Sequence, residues 1–452
     1  MNQKTLIVGI LKKKQQEFLV SGDEDDEKDG ASDSVRLGHA VLVSAALESK
    51  GCCLSQCALL GKLRSQPVTA TSADTRVHLN TNTPFSAFIC GLQGSGKSHT
   101  AAVMIENSSM AMAQLRNVRR PGSTLVLHYN EYSSNVNSQP SEAAFLASLL
   151  PKYASKLKPP LVRVLVSPTN IHTLAKCYGN IPNVKVVPFK IRPRDLNISM
   201  MLSLMSMSQS DSMPLYTAQV IRILREMATE SGGHFDYKDF RRRLEKLRLD
   251  RAQTPFLYQR LDLLDSYLDL TGKANADYFV DAGVTILDLS CPFVDQSTAC
   301  VLFRIAIDLF LYSHPSRGKL IVADEAHKYM TDTSAAKELT ETFLTIIRQQ
   351  RHLGVRTIIS TQEPTISPKL IDLCSIVIIQ LFSSPECTNQ HGIPEGLYQI
   401  SSLRTGEAIV FTPSARLLDH WGIPIDTKHV TFRLKVRSRV TWDGGRTIVS
   451  VR

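Results

Sequence analysis

Residues 88–100, Phe-Ile-Cys-Gly-Leu-Gln-Gly-Ser-Gly-Lys-Ser-His-Thr, constrain this chain more than any other stretch. The apolar run Ser86–Cys90 reads as a short buried strand, and residues 100–112 read as a helix. The loop between them is Gly91-Leu92-Gln93-Gly94-Ser95-Gly96-Lys97-Ser98-His99. Its spacing, Gly91-x4-Gly96-Lys97-Ser98, is that of a phosphate-binding loop. Glycines let the loop turn back so that successive backbone N–H groups face one anion. The helix N-terminus adds partial positive charge, Lys97 would reach the outer phosphates, and Ser98 would offer its hydroxyl to Mg²⁺. A strand before and a helix after are the context such a loop needs. Residues 91–99 are therefore read as a nucleotide site.

A chain of 452 residues, 43% hydrophobic and 21% charged, can bury one large core or two ordinary ones. No apolar run reaches the roughly 18 residues of a membrane span. Residues 5–11 are apolar but short, and lysines follow where a cleavage site would stand, so no signal peptide is expected. The expectation is an intracellular protein of the nucleus or cytoplasm, without membrane partners. Nine cysteines suit reduced thiols better than a disulfide framework. The cluster Cys52, Cys53 and Cys57 lacks the second ligand pair of a zinc site and reads as small core residues. A net charge of +10 suits a polyanionic partner.

Residues 1–82 are poorly patterned, and 21–34 read as an acidic, disordered connector. Strand-like runs at 123–128, 162–167 and 184–188 follow the loop and its helix, completing a first core segment over 83–197. From 198 to 275 the pattern is helical, with apolar residues at 3.6-residue spacing, and reads as an insertion. Residues 239–250 are basic and amphipathic there, read as a solvated helix face before a DNA-contacting one. Strands return at 283–289, 319–325, 356–361, 375–381 and 407–411, with helices at 296–312 and 334–352, making a second core segment over 276–415. Alternating strands and helices imply an α/β fold with a mainly parallel sheet between helices. Residues 416–452 read as a basic tail, and 430–440, alternating apolar and basic, as an edge strand or arm.

The strand at 319–325 ends in Asp324-Glu325, which a parallel sheet would bring to the loop's edge. Asp324 would hold Mg²⁺ with Ser98, and Glu325 would activate the attacking water. Gln362 ends the next strand and would sense the γ-phosphate. Arg348 and Arg351, three apart on the preceding helix, are candidate charge-stabilising fingers in their own subunit or a neighbour's, or plain surface arginines.

Together these residues resemble the HerA/FtsK superfamily of P-loop motor ATPases, its HerA-like branch above all. The likeness rests on residues 91–98, on Ile321-Val-Ala-Asp-Glu-Ala-His327, on Arg351-His-Leu-Gly-Val355 leading to Ser360-Thr-Gln-Glu-Pro364, and on Leu403-Arg-Thr-Gly-Glu-Ala-Ile-Val-Phe411. It covers roughly residues 84–415. The resemblance implies a RecA-like core with an extra strand between the two nucleotide motifs, ATP and Mg²⁺ as ligands, and a homo-oligomer, usually a hexameric ring, that pumps double-stranded DNA. By position it makes Lys97 the phosphate lysine, Ser98 and Asp324 the Mg²⁺ residues, Glu325 the catalytic base and Gln362 the sensor. Two features depart from the family: no N-terminal β-barrel is legible, and His128-Tyr-Asn130 has no acidic residue after the second strand. Asp324-Glu-Ala-His327 also spells the DEAH helicase box, but no second RecA-like domain fits after residue 415. The alternative to a motor is a nucleotide-gated binding module or regulatory switch.

Overall fold

The computed structural model describes residues 38–48, 54–64, 74–111, 120–131, 139–205, 215–231, 235–246, 254–272, 277–363, 366–382, 396–419 and 421–444. The acidic stretch 21–34 and Cys52 and Cys53 lie outside them. The strands are β1 (Leu42–Ser44), β2 (Cys57–Leu63), β3 (Arg76–Asn80), β4 (Ser86–Cys90), β5 (Ser123–His128), β6 (Val162–Val166), β7 (Val184–Pro188), β8 (Val284–Asp288), β9 (Lys319–Ala323), β10 (Val355–Thr361), β11 (Ile376–Ile379), β12 (Glu407–Phe411) and β13 (Phe432–Val436). Helices of eight residues or more are α1 (Lys97–Ser109), α2 (Ile171–Tyr178), α3 (Ile198–Met205), α4 (Leu215–Ser231), α5 (Tyr237–Glu245), α6 (Thr254–Tyr267), α7 (Gln296–Tyr312) and α8 (Ser334–Leu353).

All the strands join one sheet, in the order β1-β3-β2-β13-β12-β11-β4-β10-β9-β5-β8-β6-β7. From β11 to β7 every pairing is parallel, and from β11 back to β1 every pairing is antiparallel. β10 lies between the loop strand β4 and the acidic strand β9, the extra strand that the resemblance implied.

The inner parallel strands are largely apolar on both faces, as burial on both sides requires. Phe88, Leu125, Leu127, Ile321 and Ile359 face a core shared with α7, α8 and the helices of residues 198–267. Ile89, Val126, Leu320, Val322 and Ile358 alternate with them and face a second core, shared with α1 and α2. Asp295 and Thr333 start α7 and α8 by accepting bonds from the N–H groups of Thr298 and Ala336. Gly354, at φ 62°, ends α8.

Two expectations change. The helix after the loop begins at Lys97, three residues earlier than expected, because Gly96 (φ 109°) is its N-cap. The run 430–440 is neither an edge strand nor an arm: β13 pairs with β12 on one side and β2 on the other. Period-two alternation looks the same at an edge and in the interior when the polar side chains find partners inside the molecule. The basic helix α5 keeps the solvated face expected of it, its arginines paired with carboxylates: Arg243 with Asp239 (2.8 Å) and Glu230 (2.5 Å), Arg241 with Asp265 (3.5 Å) and Arg242 with Asp239. Among the described residues no helix is long and apolar enough to cross a membrane.

His78 of β3 is 3% exposed, and burial pulls its pKa down from 6.5 to about 4. Below pH 6.5 the unfolded chain therefore binds a proton that the folded chain refuses. Stability should fall on acidification through that window, by up to ~3 kcal/mol at pH 4. A His78→Gln variant should lose this part of the slope in urea titrations across pH 7 to 4. An unchanged slope would remove His78 from the effect.

Candidate functional site

The loop leaves the sheet at the C-terminal end of β4, and strand order fixes what stands beside it. β10, β9 and β5 follow, so Gln362, then Asp324 and Glu325, then His128 form a row along one edge. Gly96 combines a positive φ with close approach: a Cβ there would stand 3.1 Å from the Gly406 backbone nitrogen. A Cβ on Gly91 would meet the Ser95 hydroxyl at 2.6 Å. Ser95 itself turns inward, its hydroxyl donating to Gln380 Oε1 (3.4 Å), while Gln380 Nε2 donates to Thr100 Oγ1 (2.7 Å). These bonds tie the loop to β11 and α1.

Lys97 is 4% exposed, and its ammonium donates to the Leu92 carbonyl across the loop at 3.0 Å. Burial pulls its pKa below the ordinary lysine value, and the carboxylates of Glu325 and Asp324 oppose the shift. Glu325 follows β9 in left-handed backbone, φ 50° and ψ 46°, a conformation that costs a non-glycine residue about 1–3 kcal/mol. Gln362 Nε2 donates to Glu325 Oε2 at 2.7 Å, and His327 Nε2 lies 3.4 Å from the same oxygen. Asp324 Oδ2 lies 3.4 Å from Nδ1 of His128. Burial works against the charged form of His128, yet Asp324 and Asp288 outweigh it and hold its pKa above the ordinary value.

Lys97, His128, Asp324, Glu325 and Gln362 line a cleft of about 520 Å³ together with Gln93, Gly94, Gly96, Ser98 and His99. The cleft thus gathers Lys97, Ser98, Asp324, Glu325 and Gln362. Gly91, Leu92 and Ser95 form the loop without lining it. Arg348 and Arg351 are elsewhere: Arg348 is exposed, and Arg351 lines a different concavity at the opposite edge of the sheet. The physical reason is the sense of the chain. A helix linking two parallel strands runs back against them, so the end of α8 lies where β10 begins, far from its own nucleotide cleft.

Sequence reading missed Glu142, at the start of the 3₁₀ turn Glu142–Ala147. Burial, then the nearby Asp324 carboxylate, raise its pKa, while a hydrogen bond with the Ser98 hydroxyl opposes them. Its place is fixed by Tyr178, whose hydroxyl donates to Asp288 Oδ2 (2.6 Å) and accepts from the N–H of Ser141 (2.9 Å). Glu142 brings to the cleft the carboxylate that residues 128–130 do not. Lys435, Ser438 and Asp443 line the opposite wall, and His99 Nε2 lies 2.8 Å from the Arg437 carbonyl oxygen.

No family model matches the sequence, and no curated protein matches it. Among solved structures, VirB4 of Thermoanaerobacter pseudethanolicus superposes with a TM-score of 0.50 at 12% identity, over 84% of this chain and 96% of that one. The likeness to VirB4 is one of fold, a large and mostly parallel sheet between helices. Weaker superpositions include the genome packaging NTPase B204 of Sulfolobus turreted icosahedral virus 2 (TM-score 0.28, 10% identity, 73% of this chain and 92% of that one). The cytoplasmic domain of the type VII secretion ATPase EccC of Thermomonospora curvata also matches (0.31, 14%, 85% and 29%). In this fold the loop, the acidic pair and Gln362 share one cleft at the carboxyl ends of adjacent parallel strands.

The donor set fits Mg²⁺. Asp324, Glu142 and Ser98 line the same cleft, where burial and then the Asp324 carboxylate raise the pKa of Glu142. Among the described residues no three His, Cys, Asp or Glu gather as a metal cage. One hydroxyl and one or two carboxylates, with phosphates and water completing the shell, is how a protein commonly holds Mg²⁺.

Proposed function

We propose that this chain is a Mg²⁺-dependent ATP hydrolase that couples turnover to movement along double-stranded DNA as a homo-oligomeric ring. The observation that carries the hydrolase reading is the 2.7 Å bond from Gln362 to Glu325, made in the cleft that also holds Lys97, Ser98 and Asp324. Backbone N–H groups of residues 91–98 and the α1 N-terminus would bind the phosphates, with Lys97 on the outer pair. Ser98 and Asp324, with Glu142 beside them, would hold Mg²⁺, which neutralises phosphate charge when bound. Glu325 takes the proton of the attacking water, and Gln362 fixes the orientation of its carboxylate.

Oligomerisation is supported by what lines the cleft. Its cations are Lys97, Lys328 and Lys435, with no arginine among the described residues. A charge-stabilising arginine, if Arg348 or Arg351 supplies one, would act on a neighbouring subunit's nucleotide. DNA as substrate rests on the motif resemblance and the net charge of +10.

The test is ATP turnover with and without duplex DNA, at low and moderate salt, beside a Lys97→Ala chain. Stimulation that fades as salt rises is the expected result, since phosphate contacts release counterions. Turnover indifferent to DNA would discard the substrate and keep the hydrolase. Turnover no higher than that of the Lys97→Ala chain would discard both.

Glu142 gives a further expectation. Replacing it by Gln keeps its size and removes one of the two carboxylates beside Ser98. The Mg²⁺ concentration for half-maximal turnover should rise roughly tenfold, with the plateau nearly retained, by analogy with the loss of a supporting ligand. Mg²⁺-dependent binding of a fluorescent ATP analogue should shift in parallel. An unmoved Mg²⁺ curve would show that Glu142 only packs.

A further inference from the structure

A second cleft, about 470 Å³, lies where β9 and β10 begin, at the edge opposite the nucleotide. Strands of five residues place the two clefts about 15 Å apart. Its wall carries Arg120, Arg317, Lys319, Arg351 and Arg356, and no Asp or Glu among the described residues. Arg317 is neutralised by Asp281 at 2.9 Å, outside the cleft. Among the described residues no carboxylate pairs with the other four.

Two of those four are buried, Arg356 at 9% exposure and Lys319 at 5%. Arg356 donates through Nη2 to the carbonyls of Thr81 (2.7 Å) and Asn82 (3.0 Å), while its Nε, also buried, has no partner among the described residues. Lys319 donates to the carbonyl of Leu311, in the last turn of α7. Carbonyls satisfy N–H groups but cancel no net charge. Burial accordingly pulls Arg356 down to about 10 and lowers Lys319, with no neighbouring carboxylate opposing either shift. The contrast within the molecule is Arg437, equally enclosed but paired with Glu106 at 2.7 Å.

Helix ends do not close the balance. α7 and α8 finish at this edge, and each C-terminus supplies about half a negative charge. Against Arg120, Lys319, Arg351 and Arg356 that leaves a surplus of roughly three positive charges. One carboxylate would leave most of it standing. A phosphate carries up to two charges and offers acceptor oxygens matched to guanidinium forks.

We propose that this cleft binds a phosphate group, either of a free phosphate or pyrophosphate or of a nucleic-acid phosphodiester. The site lies at the opposite edge of the sheet from the chain's own nucleotide loop.

The test uses the full chain with Lys97→Ala, which blunts the nucleotide loop, and a second chain that adds Arg120→Glu and Arg351→Glu. Both arginines are exposed, so their reversal leaves the packing around Arg356 intact. Pyrophosphate binding by calorimetry should weaken roughly tenfold or more in the second chain, as a charge-driven site requires. Equal affinity in the two chains, or no binding to the first, would overturn the proposal. Short duplex DNA distinguishes the source: if it displaces pyrophosphate from the first chain, the site reads phosphodiesters, and if it does not, the site takes free phosphate. Matched thermal unfolding of the two chains confirms that any loss is local.

Discussion

A Glu325→Gln chain should bind ATP within about threefold of wild type and turn it over 10²–10⁴-fold more slowly, the usual share of a general base. The substitution is nearly isosteric. Gln362 Nε2 now donates to Glu325 Oε2 at 2.7 Å, and an amide oxygen can accept the same bond. The left-handed backbone at φ 50° is as costly to glutamine as to glutamate, so the turn after β9 gains no new strain. What changes is basicity: an amide cannot take a proton from water at neutral pH. A loss confined to kcat marks an interaction made only in the transition state. Single-turnover kinetics and nucleotide titration separate the two quantities. Turnover above one tenth of wild type would remove Glu325 from its role, since roughly 1.4 kcal/mol is too small for a missing base.

Much of this cleft was legible because its parts are contiguous and sit at strand ends. Gly91 to His99, Asp324, Glu325 and Gln362 each follow an apolar run, and parallel strands put such residues along one edge. Glu142 was not legible: it arrives in a 3₁₀ turn with no periodicity, placed by Tyr178 and Asp288. Arg351 was assigned by its helix alone, without the direction that the helix must run between β9 and β10. Residues 1–82 read as poorly patterned, with apolar runs over 35–63 left open as strands or a partial domain, yet β1, β2 and β3 extend the sheet, because short antiparallel strands leave little pattern. The basic stretch around β13 was misplaced for a related reason. A cation that will be buried looks like a solvated one until its partner, on an element more than 300 residues away, is known.

That partner carries the second large effect. Glu106 of α1 is fully buried, and its Oε1 accepts from the N–H groups of Val440 and Thr441 (3.0 Å each) and from the Thr441 hydroxyl (2.7 Å). Its Oε2 lies 2.7 Å from Nη1 of Arg437. Burial pulls the Arg437 pKa down, and the Glu106 carboxylate pushes it back up. Glu106→Gln keeps an oxygen for Val440 and Thr441 but turns an amide on the guanidinium and leaves that charge unpaired. A loss of about 3–5 kcal/mol is expected, read from the denaturation midpoint. Arg437→Met should cost a similar amount by stranding Glu106, whereas the double substitution should recover much of the loss, with a coupling of roughly 2–3 kcal/mol. Glu106→Gln within about 1 kcal/mol of wild type would show that the segment is held without the ion pair. The same anchor bears on the nucleotide cleft. The Arg437 carbonyl meets His99, and Ser438 and Asp443 line the cleft wall. Loosening residues 437–443 should therefore raise KM for the nucleotide under conditions where the chain is still folded, while kcat, which the proposed function assigns to Glu325 and Gln362 on the opposite side, should change little.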